Sequence, residues 1–128
     1  MTATYQASCP FCTVPADRVV AATDLTVTIR DAYPVSPGHT LVITRRHVET
    51  FFEATADEQA AVLLAVALAK VDLDREHQPA GYNIGINVGV VAGQTVMHVH
   101  VHVIPRYPGD VADPRGGVRH VIPGKGYY

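Results

Sequence analysis

The sequence of 128 residues lacks the features that mark several common classes of protein. Ten basic residues stand against 12 acidic ones, and the net charge of −2 argues against binding to duplex nucleic acid. The chain does not open with a basic and apolar leader. Its most apolar run, AAVLLAVALA at 60–69, is far shorter than the roughly 20 residues that span a bilayer. We therefore expect one soluble domain in a cytoplasmic, reducing setting, with no membrane partner.

One long helical pattern and several alternating segments define the expected fold. Thr55 and Glu58 form a capping-box pattern ahead of a stretch rich in Ala, Leu and Val, which predicts a helix to about His77. Alternation of apolar and polar residues predicts five strands, at 19–23, 25–31, 39–46, 82–88 and 96–104. The sequence thus predicts an α+β fold, a mainly antiparallel five-stranded sheet with one long helix between its third and fourth strands.

We expect a single domain over 1–128, with a core at about 9–106 and an irregular tail at 107–128. The tail is rich in proline and glycine and contains Arg115, Arg119 and His120. These three residues could reach over a polyphosphate or could simply pack on the surface.

Three of the seven histidines occupy alternate positions, in the segment HVHVHV at 98–103. On a strand, His98, His100 and His102 share one face about 6.5–7 Å apart, while the valines share the other face and contribute to the core. A solvated strand face would more naturally carry threonine, lysine or glutamate. The histidine face therefore indicates a nucleophile with helpers, or metal ligands, because neutral imidazole offers a lone pair at neutral pH.

The wider segment GQTVMHVHVHVIPR at 93–106 resembles the signature of the histidine triad family. DAYPVSPGHTLVITRRH at 31–47 and NVGVVAGQ at 87–94 also resemble that family, so the similarity covers roughly 10–106. The resemblance implies an α+β homodimer that hydrolyses or transfers nucleoside monophosphates at an α-phosphate. It is closest to the fragile histidine triad branch, which cleaves dinucleoside polyphosphates such as diadenosine tetraphosphate.

The resemblance assigns catalytic roles to five residues. His100 would attack phosphorus through Nε2, with its Nδ1–H held by a backbone carbonyl, and His102 would bond the α-phosphate oxygens. Gln94 would contact the phosphate and bridging oxygen, Thr95 would help to protonate the leaving group, and His39 would support the triad from a neighbouring strand. The alternative is that Gln94 and Thr95 are ordinary residues of a loop that enters a strand.

The resemblance also assigns a nucleoside site. Asp31 would accept hydrogen bonds from ribose hydroxyls, and Asn87 would contact phosphate, although both residue types are also common in turns. Phe11, Ile29 and Leu41 would line the base pocket, and any of the three could be core instead.

The only two cysteines, Cys9 and Cys12, form a CxxC pair. A redox motif of the thioredoxin type would need a strand before it and a helix after it, which this stretch lacks. Two thiolates supply half of a tetrahedral zinc site, and His47 and His98 are the candidate nitrogen ligands, a set that some bacterial family members use. We expect one structural zinc per chain. An empty reduced or oxidised pair is the alternative.

The expected activity has two rivals. A nucleoside phosphoramidase or a phosphorylase would share the same covalent intermediate and differ in the substrate or in the attacking group. A nucleotide-binding signalling module would bind the ligand with incidental turnover.

Overall fold

The computed structural model describes residues 5–128. Five strands form one sheet: β1 (Val19–Ala22), β2 (Thr26–Arg30), β3 (Thr40–Thr44), β4 (Gly81–Gly85) and β5 (His100–Arg106). Their order is β1-β2-β3-β5-β4, and every neighbouring pair is antiparallel. The helix α1 (Ala56–His77) connects β3 to β4. The α+β fold predicted from the sequence is therefore confirmed.

The start of α1 is fixed by the predicted capping box. The Thr55 hydroxyl accepts the Glu58 N–H, and the Glu58 carboxylate accepts the Thr55 N–H. Arg46 donates twice to the same carboxylate, at 2.7 and 3.1 Å, so this buried acid is fully satisfied. The Arg46 guanidinium is the main cause of the lowered pKa of Glu58.

The helix covers the valine face of the sheet. Its inward residues recur every three or four positions, and the central core comprises Val42, Val62, Ala65, Val66, Leu73, Val101 and Val103. The predicted role of the valine face is confirmed, since Val101 and Val103 are fully buried.

The opposite face carries the histidines of β5 and is covered by the N-terminal segment. Register sets Leu41 beside His102 and Ile43 beside His100, and residues paired in this way project to the same side. Phe11 and Val14 pack onto a smaller cluster of Ile29, Leu41 and Ile43.

Two predicted strand bounds differ by three or more residues: the fourth strand ends at Gly85 and not at residue 88, and the fifth strand starts late. The last strand begins at His100, not at residue 96, because residues 96–98 form a bend. The Val99 N–H bonds the Val48 carbonyl at 2.8 Å, outside the regular ladder. His98 therefore lies before the strand, and the expectation that three histidines share one strand face holds only for His100 and His102.

The tail after β5 contains one short 3-10 helix, Gly117–Val121, among turns. Arg119 donates to the carbonyls of Gly126 and Lys125, and His120 lies 2.9 Å from the Arg115 carbonyl. These tail side chains thus bond to the tail itself. Among residues 5–128, no helix is both long and apolar enough to cross a membrane.

Candidate active site and metal centre

A cavity of about 600 Å³ opens on the histidine face. Eight of the ten catalytic and substrate residues predicted from the sequence line it: Phe11, Asp31, His39, Leu41, Asn87, Thr95, His100 and His102. The lining comes mainly from three segments, 10–11, 31–41 and 87–102. They meet here because β5 lies beside β3 and the cysteine turn packs on that part of the sheet. The volume falls in the range of small-molecule sites.

His100 is held in one orientation by its own strand. Its Nδ1 lies 2.7 Å from the His98 carbonyl, so that nitrogen carries the proton and donates. The other nitrogen, Nε2, then has a free lone pair at the wall of the cavity. This is the protonation state that a histidine nucleophile needs.

His39 and His102 form a chain of fixed tautomers. The Val35 N–H donates to His39 Nδ1 at 3.1 Å, which leaves the proton of the neutral ring on Nε2. His39 Nε2 lies 2.9 Å from His102 Nδ1 and donates to it, so His102 in turn carries its proton on Nε2. The hydrogen-bond pattern thus makes His102 a donor on the nitrogen remote from His39.

Burial favours the neutral form of both of these rings. It lowers the pKa of His39, and the nearby Asp31 carboxylate opposes this only in part. Burial likewise lowers the pKa of His102, helped by His100 and His39 and opposed by Asp31. The neutral His102 ring can still donate a hydrogen bond to a phosphate oxygen through its Nε2–H.

Asp31 lies at the end of β2, beside His39. Its Oδ1 accepts the Tyr33 N–H at 2.8 Å, and its Oδ2 lies 3.5 Å from His39 Nε2. The carboxylate therefore has one oxygen bound in a turn and one at the cavity, beside the histidine chain.

Two predicted residues lie outside the cavity. The Gln94 amide is buried; it accepts the Gly89 N–H and donates to the carbonyls of Glu49 and Val96. This geometry gives no support to its predicted phosphate contact. Ile29 is fully buried in the cluster behind Leu41, so it supports the cavity wall and does not line it.

Arg18 also lines the cavity and was not predicted. It precedes β1, and its guanidinium donates to the Arg30 carbonyl at 2.9 Å. A lone arginine before a strand gives no sequence signal, since its partner lies on the neighbouring strand.

The two cysteines and two histidines form a second cluster beside the cavity. The ligand atoms of Cys9, Cys12, His47 and His98 all lie within 4.8 Å of one another. Cys9 Sγ is 3.4 Å from His98 Nδ1, and Cys12 Sγ is 3.3 Å from His47 Nδ1. Tetrahedral zinc bonds would separate a sulfur and a nitrogen by about 3.5 Å, so the spacing suits that ion.

The surroundings of His98 also favour a metal. Its Nε2 donates to the Thr44 carbonyl at 2.6 Å, which leaves Nδ1 as the lone-pair nitrogen facing the thiols. Burial lowers the pKa of His98 and so favours the neutral form that binds metals. These four residues could hold one ion with no position left open for substrate.

The chain is similar to proteins of a known family. The HIT domain model matches residues 13–109. The chain is 36% identical over 96 residues to a bis(5'-nucleosyl)-tetraphosphatase (asymmetrical) of Schizosaccharomyces pombe, covering 75% of this chain and 53% of that protein. It is 36% identical over 93 residues to an AP-4-A phosphorylase of Mycobacterium tuberculosis, covering 72% and 48%. The chain therefore spans about half the length of these two enzymes.

A solved structure shows the same architecture with a metal. The zinc-bound histidine triad family protein of Mycobacterium smegmatis superposes with a TM-score of 0.75 at 31% identity, covering 83% of this chain and 80% of that one.

Proposed function

The chain belongs to the HIT domain family, and on that premise we propose that it is a nucleotide hydrolase or nucleotidyl transferase that cleaves dinucleoside polyphosphates, such as diadenosine tetraphosphate, at an α-phosphate. The observation that carries the proposal is the pair of oriented imidazoles in one cavity. His100 offers a lone pair on Nε2, and His102 offers a proton on Nε2. A phosphoanhydride needs both, a nucleophile and a donor to its oxygens.

The reaction would run in two steps. His100 Nε2 forms a bond to the α-phosphorus as the bond to the leaving phosphate oxygen breaks, and His102 donates to a non-bridging oxygen throughout. Thr95, which lines the same cavity, passes a proton to the departing group. Water then attacks the phosphorus, returns a proton to Thr95 and breaks the P–N bond, which releases a nucleoside monophosphate and restores His100.

The rest of the cavity suits a nucleoside. Phe11 and Leu41 provide an apolar slot for the base, with Ile29 behind them. Asp31 Oδ2, which lies at the cavity beside His39, accepts hydrogen bonds from ribose hydroxyls, and Asn87, which also lines the cavity, contacts the phosphates.

We assign the Cys9, Cys12, His47 and His98 cluster to one structural zinc ion per chain. Thiolate and imidazole ligands favour zinc over hard cations, and thiolates persist in a reducing, cytoplasmic setting. When bound, zinc would join the N-terminal turn to the sheet. It would have no contact with the phosphate, since all four positions are filled by protein.

We also propose a homodimer that forms through α1 and the segment 82–88. The outward side of α1 carries the exposed apolar residues Leu63, Leu64, Leu68 and Val71, and β4 is an edge strand with half-exposed Ile84. Sedimentation should show a species of about twice 13.8 kDa at micromolar concentration. A species of single-chain mass alone would refute this assignment.

A turnover panel tests the activity. Diadenosine tetraphosphate, diadenosine triphosphate and adenosine phosphoramidate are each incubated with the zinc-loaded protein, with and without inorganic phosphate. Hydrolysis of a dinucleoside polyphosphate without added phosphate is the expected result. Turnover of the phosphoramidate alone would replace the proposal with a phosphoramidase.

The similarity to an AP-4-A phosphorylase favours one second candidate. A phosphorylase would use inorganic phosphate in the second step and release a nucleoside diphosphate, so the product of the panel distinguishes the two. A non-enzymatic binding module would bind nucleotide in the same cavity without any adduct on His100. Mass spectrometry of protein quenched during turnover separates that case.

A further inference from the structure

The turn that carries the two cysteines is also a wall of the main cavity. Phe11 lies between Cys9 and Cys12 in the sequence, and Pro10 and Phe11 both line the cavity. The Cys9 carbonyl accepts the Cys12 N–H at 3.1 Å and the Thr13 hydroxyl at 3.0 Å, which closes these residues into a tight turn. The position of the Phe11 ring therefore depends on where the two Sγ atoms are held.

The Phe11 ring touches the histidine assigned as the nucleophile. Its centroid is 4.9 Å from that of His100, with the planes at 66°, and 6.2 Å from that of His98, at 85°. Edge-to-face contacts of this kind depend on ring orientation. Phe11 also packs against the buried cluster that contains Leu41. A displaced turn would thus alter the base slot and the contact with His100 together.

A second connection runs through the backbone. The His98 ring belongs to the metal cluster, and the His98 carbonyl holds the proton of His100 Nδ1 at 2.7 Å. Whatever fixes the His98 ring also fixes the carbonyl that orients His100. The metal cluster and the cavity are therefore connected through the Cys9–Cys12 turn and through the His98 carbonyl.

From these contacts we propose that the Cys9–Cys12 turn is a thiol- and zinc-dependent control of nucleotide binding. With both thiolates on zinc, Phe11 is held against His100 and the base, and nucleotide binds. Oxidation of the two thiols releases the ion, frees the turn and weakens nucleotide binding. The inference rests on the proposed nucleotide function.

The chemical step requires a hydroperoxide as oxidant. Cys12 is partly exposed and Cys9 is buried, so the oxidant meets Cys12 first and forms a sulfenic acid. Cys9 then attacks that sulfur. The net change is two thiolates, one hydrogen peroxide and two protons giving one disulfide and two waters, while zinc leaves as Zn²⁺.

The core should survive this change. The helix packs on the valine face through the cluster that contains Val62 and Leu73, and the cysteine turn covers the other face. Loss of zinc therefore releases the turn and leaves the main sheet–helix contact in place.

The experiment uses the full chain, reduced and loaded with zinc, and AMP as the probe in calorimetric titrations. After hydrogen peroxide, we expect loss of two thiols, transfer of one zinc to a chromogenic chelator, and a rise of at least about tenfold in the AMP dissociation constant, the scale seen when support around a metal site is lost. The far-ultraviolet circular dichroism should persist, and reductant with zinc should restore binding. An unchanged dissociation constant in the folded, oxidised protein would overturn the inference. Failure of the reduced, zinc-loaded protein to bind AMP would reject the proposed function itself.

Variants show whether Phe11 carries the effect. Phe11→Ala keeps both cysteines, so it should retain zinc, bind AMP weakly when reduced, and lose little more on oxidation. Phe52→Ala, which removes an exposed ring that does not line the cavity, should behave as the wild type. Equal fold-losses on oxidation in the wild type and Phe11→Ala would show that the turn does not act through this ring.

A reciprocal measurement needs no change to the cysteines. If zinc strengthens AMP binding, AMP must strengthen zinc binding by the same factor. At equilibrium, saturating AMP should therefore lower the fraction of zinc taken by a competing chelator in the wild type, and should do so much less in Phe11→Ala. Equal protection by AMP in both proteins would show that the coupling does not run through Phe11.

Discussion

The two faces of the sheet are built by the same strand but are held in different ways. On one face, Val101 and Val103 are fixed by apolar packing against α1. On the other face, His100 and His102 are fixed by hydrogen bonds to the His98 carbonyl and to His39. Apolar packing does not determine where a proton sits, whereas each of these hydrogen bonds determines which ring nitrogen carries a proton. Stability and chemistry therefore reside on opposite sides of β5.

Substitutions of adjacent residues on opposite faces should separate the catalytic role of one face from the structural role of the other. His100→Ala should reduce turnover by at least about a thousandfold, because the covalent intermediate forms on the His100 Nε2 lone pair. Nucleotide binding should persist in the folded variant, because His102, Asp31 and the base slot are unchanged. Turnover rates and calorimetric titration with AMP measure both parts.

Val101→Ala is the matched change one residue further along. It should lower the free energy of unfolding while turnover per folded molecule stays within a few-fold of the wild type. Near-normal turnover by His100→Ala would reject the covalent mechanism. A large loss of turnover in folded Val101→Ala would show that the two faces are not separable.

The next largest effect should come from the helix. Val62→Ala removes two methyl groups from a fully buried position and should cost about 2 kcal/mol of unfolding free energy. The half-exposed Val20 on β1 is the control, and Val20→Ala should cost less than about 1 kcal/mol. Urea denaturation of zinc-saturated protein measures both. Equal losses would mean that burial against the sheet is not what stabilises α1.

The valine face could be predicted from the sequence because it depends on local periodicity. Alternation gave the inward valines, and Thr55 with Glu58 gave the helix start; both are patterns within a few residues. The residues of the histidine face could be predicted for the same reason, because they also follow a local alternation. Eight of the ten proposed residues line the cavity because strand pairing brings 31, 39 and 100–102 together.

The remaining details depend on distant partners. Gln94 is a plausible phosphate ligand by position, but its amide bonds the Glu49 carbonyl, 45 residues away. The bend that takes His98 out of β5 is associated with the hydrogen bond from the Val99 N–H to the Val48 carbonyl. No sequence pattern within 96–98 predicts it. Arg18 lines the cavity as a consequence of the pairing of β1 with β2. Such features follow from tertiary contacts that a single sequence does not encode locally.

The smallest expected effect is a pH dependence confined to the histidine face. Burial lowers the pKa of His39 and His102 below the ordinary value of 6.5, so the unfolded chain binds these protons more tightly than the folded one. Their contribution to stability is therefore complete above pH 6.5 and is lost as the pH falls through their folded pKa values. Protonation of His39 would also place a proton on Nδ1, where the Val35 N–H already donates.

The variant His39→Gln tests this contribution, because its amide can still donate to His102 but does not titrate. The stability advantage of the wild type over His39→Gln should shrink as the pH falls from 7 to 5, measured by urea denaturation of zinc-saturated protein. Both proteins keep the four cluster residues, so acid loss of zinc cancels in the difference. Ser36→Ala removes a non-titrating hydrogen bond to the Pro105 carbonyl from the same turn, and its stability difference from the wild type should be constant over that range. A constant difference for His39→Gln as well would show that His39 has the same proton affinity folded and unfolded, and the chain of neutral rings from Val35 to His102 would be wrong.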